Sequence, residues 1–229
     1  MIKNRLTALI FRGASFLLCL AGILDTAGAF KGRFSFSVLL FYTVMSNILI
    51  LVLFGALLCL TARDMRRNGI KGPACYRPRV VFVCMIDILL TFGVYWVMLA
   101  PQAFTMGEPA SLLAFSNLTV HAVVPLLCAA DLFLFAPAGH IRLKDLAFSL
   151  VFPLFYVALA TVLGFSGYVF FETDAGPVHF PYFFLDYHSR GGMVAVYILA
   201  LIAVFMALGL LFYGLDRLRV KKSNGKEEH

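Results

Sequence analysis

The sequence predicts an all-α fold, a polytopic membrane protein built as a six-transmembrane-helix bundle with both termini cytoplasmic. Three observations carry the prediction. The chain is 62% hydrophobic and only 14% charged, with mean hydropathy +0.91, where a soluble domain is about 45–50% apolar and about 25% charged. Apolar runs that can cross a bilayer, which takes about 20 helical residues, recur six times in 229 residues. Sixteen of the nineteen Lys and Arg residues fall on one side when the runs alternate across a membrane.

The runs lie at 7–29, 36–60, 80–100, 112–136, 146–170 and 192–215 and leave only short loops, so 1–229 reads as a single six-helix transmembrane domain. Hydrocarbon offers no partner to a backbone N–H or C=O, so long apolar segments without strand alternation must be helices. Span 1 follows Lys3 and Arg5 and ends near Ala27-Gly28-Ala29, which imitates a signal peptide, but Arg12 interrupts its apolar stretch and it is read as a helix. Between spans 2 and 3, Arg63, Arg66, Arg67, Lys71, Arg77 and Arg79 accompany Gly69, Gly72, Pro73 and Pro78 in a basic, turn-rich connector facing anionic headgroups. Arg142 and Lys144 precede span 5, and Arg217, Arg219, Lys221, Lys222 and Lys226 close the chain. Only Lys31, Arg33 and Arg190 fall opposite, so the positive-inside rule sets both ends in the cytoplasm. The outer stretch 171–191 carries Phe171, Phe180, Tyr182, Phe183, Phe184 and Tyr187 and is expected to lie in the interface as a belt or lid. Cys19, Cys59, Cys75, Cys84 and Cys128 avoid the outer loops, so no disulfide framework is implied.

With no separate soluble domain, chemistry belongs inside the bundle, where ionisable residues are costly enough to read as functional. Thr43, Ser46 and Asn47 share one face of span 2 at helical spacing, and Asn117 and His121 share one face of span 4. Counted from the outer ends of their spans, Thr43 lies roughly 10 Å deep and His121 roughly 14 Å, from 1.5 Å per residue. Two polar faces at one depth escape lipid by turning toward each other. Arg12, Asp87 and Asp131 form a second level nearer the cytoplasm. An Arg12–Asp87 or Arg12–Asp131 ion pair would relieve the cost of both charges, and a structural role is favoured for this layer.

Three motifs recur in order: Phe41-Tyr42-Thr43-Val44-Met45-Ser46-Asn47, His121-Ala122-Val123-Val124-Pro125, and Pro181-Tyr182-Phe183-Phe184-Leu185-Asp186. Together with span count and topology they make the chain resemble the androgen-induced-protein family of six-span membrane hydrolases and its bacterial relatives. The resemblance implies a threonine hydrolase that cleaves fatty acid esters of hydroxy fatty acids, with Thr43 matching the nucleophile and His121 its partner, in a bacterial inner membrane.

The chemistry agrees. A Thr hydroxyl needs a base to take its proton, and His121 is the intramembrane side chain whose ordinary titration range suits that role. The amides of Asn47 and Asn117 are candidate donors to the developing oxyanion, with orientation of His121 as a second role open to Asn117. Arg190, beside the aromatic loop, is the favoured anchor for a substrate carboxylate. No GxSG-type nucleophile, HExxH or phosphate-binding loop is present. His179, Asp186 and His188 fit no standard ligand spacing. No metal, cofactor or nucleic-acid partner is expected, and the partner is a membrane lipid or fatty acid ester. A non-catalytic lipid-binding or transport protein using the same polar cavity is the alternative, though the inverted repeats and broken helices of transporters are not evident.

Overall fold

The structure, a computed structural model, describes residues 1–74, 77–105, 109–174 and 176–224. Cys75 and Lys226 lie outside the described residues. Among the described residues, six helices are long and apolar enough to cross a membrane: α1 Arg5–Thr26, α2 Tyr42–Asn68, α3 Pro78–Gln102, α4 Phe115–Phe135, α5 Leu143–Phe165 and α6 Met193–Lys221. Between α5 and α6, β1 (Phe171–Thr173) and β2 (Gly176–Val178) pair as a short antiparallel hairpin. One apolar core draws on all six helices, with Cys19, Ile50, Phe82, Cys128, Leu146 and Phe205 at its centre. The polarity of the surface is the reverse of a soluble protein's: Leu17, Val52, Val97, Val162 and Leu199 are each more than 60% exposed, while Arg12, Asp87 and Asp131 are buried. Such a surface is solvated by lipid, not water.

Helix limits follow backbone chemistry more than apolarity. Phe36 does not open α2, because Ser37–Leu40 form a 3₁₀ turn and the helix begins at Tyr42. At its other end α2 runs through Arg63, Asp64 and Met65, good to moderate helix formers, and stops at Gly69, whose φ of 72° ends the spiral. The connector that follows does not simply face headgroups. Arg5 donates to the carbonyls of Asn68, Gly69 and Lys71 and pairs with Asp64, so the segment is folded back over the end of α1.

Proline shapes α3, α4 and α5. A proline lacks an N–H and crowds the carbonyl four residues back. In α4, a π turn at Thr119–Val123 precedes Pro125, and Val124 N–H bonds Thr119 O in place of Val120 O. In α3, the π turn Tyr95–Leu99 precedes Pro101 in the same way, with Ala100 N–H on Tyr95 O. In α5 the regular helix breaks at Leu150, three residues before Pro153. The two π turns lie against each other, and π turns of this kind concentrate at functional sites.

The second polar level is a buried ion pair with further hydrogen bonds. Arg12, completely buried, grips both oxygens of Asp131 at 2.6 and 3.0 Å and donates to Thr61 Oγ1 at 2.7 Å and Ala74 O at 2.5 Å. Asp87 takes no part in that pair. It is buried, and its Oδ1 has no hydrogen-bond partner among the described residues.

Candidate functional site

The π turn of α4 is what exposes the chemistry of its neighbours. Shifting the register frees Val120 O, and Pro125 removes the N–H that would bond His121 O. Both carbonyls find side-chain donors: Asn47 Nδ2 reaches Val120 O at 3.0 Å, and Trp96 Nε1 reaches His121 O at 3.2 Å. Gly22 of α1 permits the close approach, since a Cβ there would meet Thr119 Cγ2 at 2.6 Å. The turn carrying His121 is thereby fixed from three sides.

Within it, His121 Nδ1 lies 3.0 Å from Asn117 O. A carbonyl only accepts, so Nδ1 carries the proton and Nε2 presents its lone pair. Nε2 is 3.2 Å from Thr43 Oγ1. Tyr95, from the facing π turn, stacks on the imidazole with centroids 3.7 Å apart and planes at 21°. Its hydroxyl accepts from Asn117 Nδ2. Tyr95 and Trp96 were not legible as site residues in the sequence. Their one signal is Pro101, placed after them as Pro125 is placed after His121.

The polar face of α2 divides between two neighbours. Thr43 and Asn47 turn to α4, while Ser46 turns to α3 and shares a 2.8 Å hydrogen bond with Thr91. Asn47 Nδ2 also donates to Thr43 O at 2.7 Å, so both of its amide hydrogens are engaged. Asn117 Nδ2 is likewise engaged, by Tyr95 and Leu112 O at 3.1 Å. Neither amide is aimed at Thr43 Oγ1. Asn47 holds the nucleophile's helix to the π turn, and it is the backbone carbonyl of Asn117 that orients His121.

Because α2 starts at Tyr42, Thr43 belongs to its first turn and is not seven residues inside the helix. N–H groups there have no intrahelical acceptor, and Phe41 supplies no side-chain cap. The donor position is met from the outer loop. Residues 180–185 pack against the bundle. Phe180 seats against Gly164 of α5, where a Cβ would overlap the ring, and Phe184 and Leu185 are buried. The intervening Tyr182 reaches the start of α2, with its hydroxyl 3.5 Å from Thr43 N. Its ring stacks on Phe184 and meets Phe41 edge-on. Burial pushes the Tyr182 phenol above its ordinary range, so it stays protonated while its oxygen accepts from Thr43 N. At the end of the loop Asp186 caps the turn Tyr187–Arg190, accepting from His188 N and from the Ser189 amide and hydroxyl. Burial would raise its carboxyl, but the Ser189 and His188 donors outweigh that and hold it below the usual range.

Beside Thr43 lies a narrow apolar cleft of about 70 Å³ between α3, α5 and α6, roofed by Tyr182, Phe184 and Leu185. Its walls run from Val157 to Leu150 on α5 and from Ile198 to Phe205 on α6. Seven residues of helix make this roughly 10 Å long. The break at Leu150 lies on the cleft wall. Arg190 is exposed, with its guanidinium 5.7 Å from the Phe183 ring centre, and does not line the cleft. His179 and His188 rings are 6.5 Å apart, His179 Nδ1 is occupied by Tyr168 O, and no group of three metal-binding side chains occurs among the described residues. No protein-family model, curated protein or solved structure matches the chain.

Proposed function

We propose that this chain is an intramembrane hydrolase of lipid esters, such as fatty acid esters of hydroxy fatty acids, with Thr43 as nucleophile and His121 as its base. The reading extends to a bacterial inner membrane with both termini in the cytoplasm, on the strength of the charge asymmetry and the motif resemblance. One observation carries it: a threonine hydroxyl 3.2 Å from a histidine nitrogen whose other nitrogen is fixed by a carbonyl, at the head of an apolar cleft. Nucleophile, base and orienting acceptor are the three parts that hydroxyl activation requires.

In the proposed reaction an acyl chain occupies the cleft and its ester carbonyl lies over Thr43. His121 Nε2 takes the hydroxyl proton as Oγ1 attacks, giving a tetrahedral intermediate. Collapse expels the alcohol, which receives that proton from His121, and leaves the acyl group on Thr43. Water, deprotonated by His121, then attacks the acyl-enzyme; collapse breaks the acyl bond to Thr43 Oγ1, which takes the proton back from His121 as the acid leaves. Arg190, at the outer edge near the aromatic loop, would hold a free carboxylate elsewhere on the substrate. Its replacement by Ala then weakens acid-bearing substrates and spares methyl esters. A lipid-binding protein would need the cleft but not the aligned Thr43–His121 pair, and this geometry favours the enzyme.

The test is hydrolysis by purified protein. Thr43→Ala and His121→Ala each abolish turnover, and the double variant is no worse than either single one because the residues act as a unit. Full turnover by Thr43→Ala overturns the reading.

A further inference from the structure

A nucleophile and a base do not complete an acyl-transfer site, because charge develops on the ester oxygen and needs donors. The Asn47 and Asn117 amides are committed elsewhere. The remaining candidate donors lie around Thr43. Its own N–H, in the uncapped first turn of α2, faces only the Tyr182 hydroxyl at a long 3.5 Å, and the Tyr42 N–H faces the same phenol. Next to Tyr182 is Tyr156 of α5, a cleft-lining residue 97% buried, whose hydroxyl makes no hydrogen bond of acceptable geometry among the described residues. A buried O–H without an acceptor is costly in protein and costlier in a membrane. Tyr42, Thr43, Tyr156 and Tyr182 all line the cleft.

Resting on the hydrolase reading above, we propose that Tyr182 and Tyr156, with the Thr43 N–H, form the oxyanion hole of this site, so that the outer loop supplies a catalytic residue. The distances allow it. The Thr43 nitrogen donates to the Tyr182 hydroxyl across a long 3.5 Å, and an oxygen beside both can lie about 2.8–3.0 Å from each. The helix end adds a favourable field for the negative charge. Proton bookkeeping is unaffected: both phenols donate hydrogen bonds and keep their protons, while His121 alone transfers one. The motif Pro181–Asp186 thereby acquires a function. Phe180, seated on Gly164, and Phe184 and Leu185, buried in the bundle, brace Tyr182 in position.

The experiment compares p-nitrophenyl octanoate with its thiono analogue, in which sulfur replaces the carbonyl oxygen and fits an oxyanion hole poorly. Wild-type protein is expected to prefer the oxygen ester strongly. Tyr182→Phe lowers kcat on that ester by about 10²–10³-fold, the usual loss for one oxyanion donor. KM and affinity for a non-hydrolysable ether analogue are little changed, and the oxygen-over-sulfur preference collapses. Tyr156→Phe gives a smaller loss with the same signature. Kcat unchanged in Tyr182→Phe, or lost equally on both esters, overturns the proposal while leaving the Thr43–His121 reading intact. Absence of turnover and of Thr43 acylation in wild-type protein overturns both. Should Tyr182→Phe fail to bind the ether, 3-fluorotyrosine at position 182 carries the test, since only the donor's acidity changes and kcat must respond.

Discussion

Replacing Asn47 with Leu, close in size and without polar atoms, separates two roles that proximity alone does not distinguish. The amide makes two bonds, to Thr43 O at 2.7 Å and to Val120 O at 3.0 Å. The losses are unequal. Thr43 O keeps the Ser46 hydroxyl at 3.0 Å, whereas Val120 O, released by the π turn, loses the Asn47 donor. Interhelical hydrogen bonds in membranes average about 0.6 kcal/mol and reach about 1.7, and an orphaned buried carbonyl costs about 1–3 kcal/mol. The variant should therefore lose about 1–3 kcal/mol, a fraction of what an intact bundle tolerates. The effect on chemistry is larger in proportion, because Asn47 fixes Thr43 relative to the turn bearing His121, and a shift near 1 Å costs about 10²-fold in rate. Reversible unfolding in micelles gives the first quantity and kcat on a chromogenic ester the second. A variant that is destabilised by this amount yet retains full kcat would refute the view that Asn47 registers the catalytic pair.

Three further outcomes follow from other parts of the bundle. Arg12→Met leaves Asp131 buried without its partner and should cost about 3–5 kcal/mol, most of it recovered in Arg12→Met/Asp131→Leu; equal unfolding of the single and double variants would contradict the pairing. Gly164→Ala drives a Cβ into the Phe180 ring, so overpacking should cost about 1–3 kcal/mol and lower kcat by releasing Tyr182, whereas an unchanged kcat would mean that the seat does not hold the loop. Asp186, with its carboxyl held below the ordinary range, contributes stability that is present above the unfolded-state value and lost as pH falls through the depressed one. Acid-induced loosening of the outer loop, read by limited proteolysis, should thus disappear in Asp186→Asn, and its persistence would assign the acid sensitivity to another group.

The fold was legible because a bilayer allows few solutions: runs this apolar and this long must close their hydrogen bonds within themselves. Six runs gave six helices. Their ends were less legible, since hydropathy marks what lipid accepts and not where hydrogen bonding begins. Phe36 is as apolar as any residue in α2 yet sits before a 3₁₀ turn, and Arg63, Asp64, Arg66, Arg67 and Asn68 are polar yet helical. For the polar residues, the shared faces and similar depths of Thr43 and His121 brought the pair into view. The depth of Thr43 was inferred from a helix start that the 3₁₀ turn displaces. Asn47 and Asn117 could not be assigned from spacing, because their partners are carbonyls released by a π turn. A periodicity of 3.6 residues has no term for such a turn, and only Pro101 and Pro125 announce it. Tyr95, Tyr156 and Tyr182 were hidden for another reason. As aromatic residues in apolar sequence they read as core or belt, and only contacts across α3, α5 and the outer loop distinguish their hydroxyls. Among the charges, Arg12 had two acids at its level, and packing brought it to Asp131 and not to Asp87.

The central claim is that Thr43, activated by His121, is a covalent nucleophile. Its most direct test is to incubate the purified protein with a fluorophosphonate and find the adduct by peptide mass spectrometry. The account predicts a single adduct on the Thr43 hydroxyl in wild-type protein, sharply slowed in His121→Ala and absent in Thr43→Ala. An adduct on another residue, or labelling at an unchanged rate in His121→Ala, contradicts it.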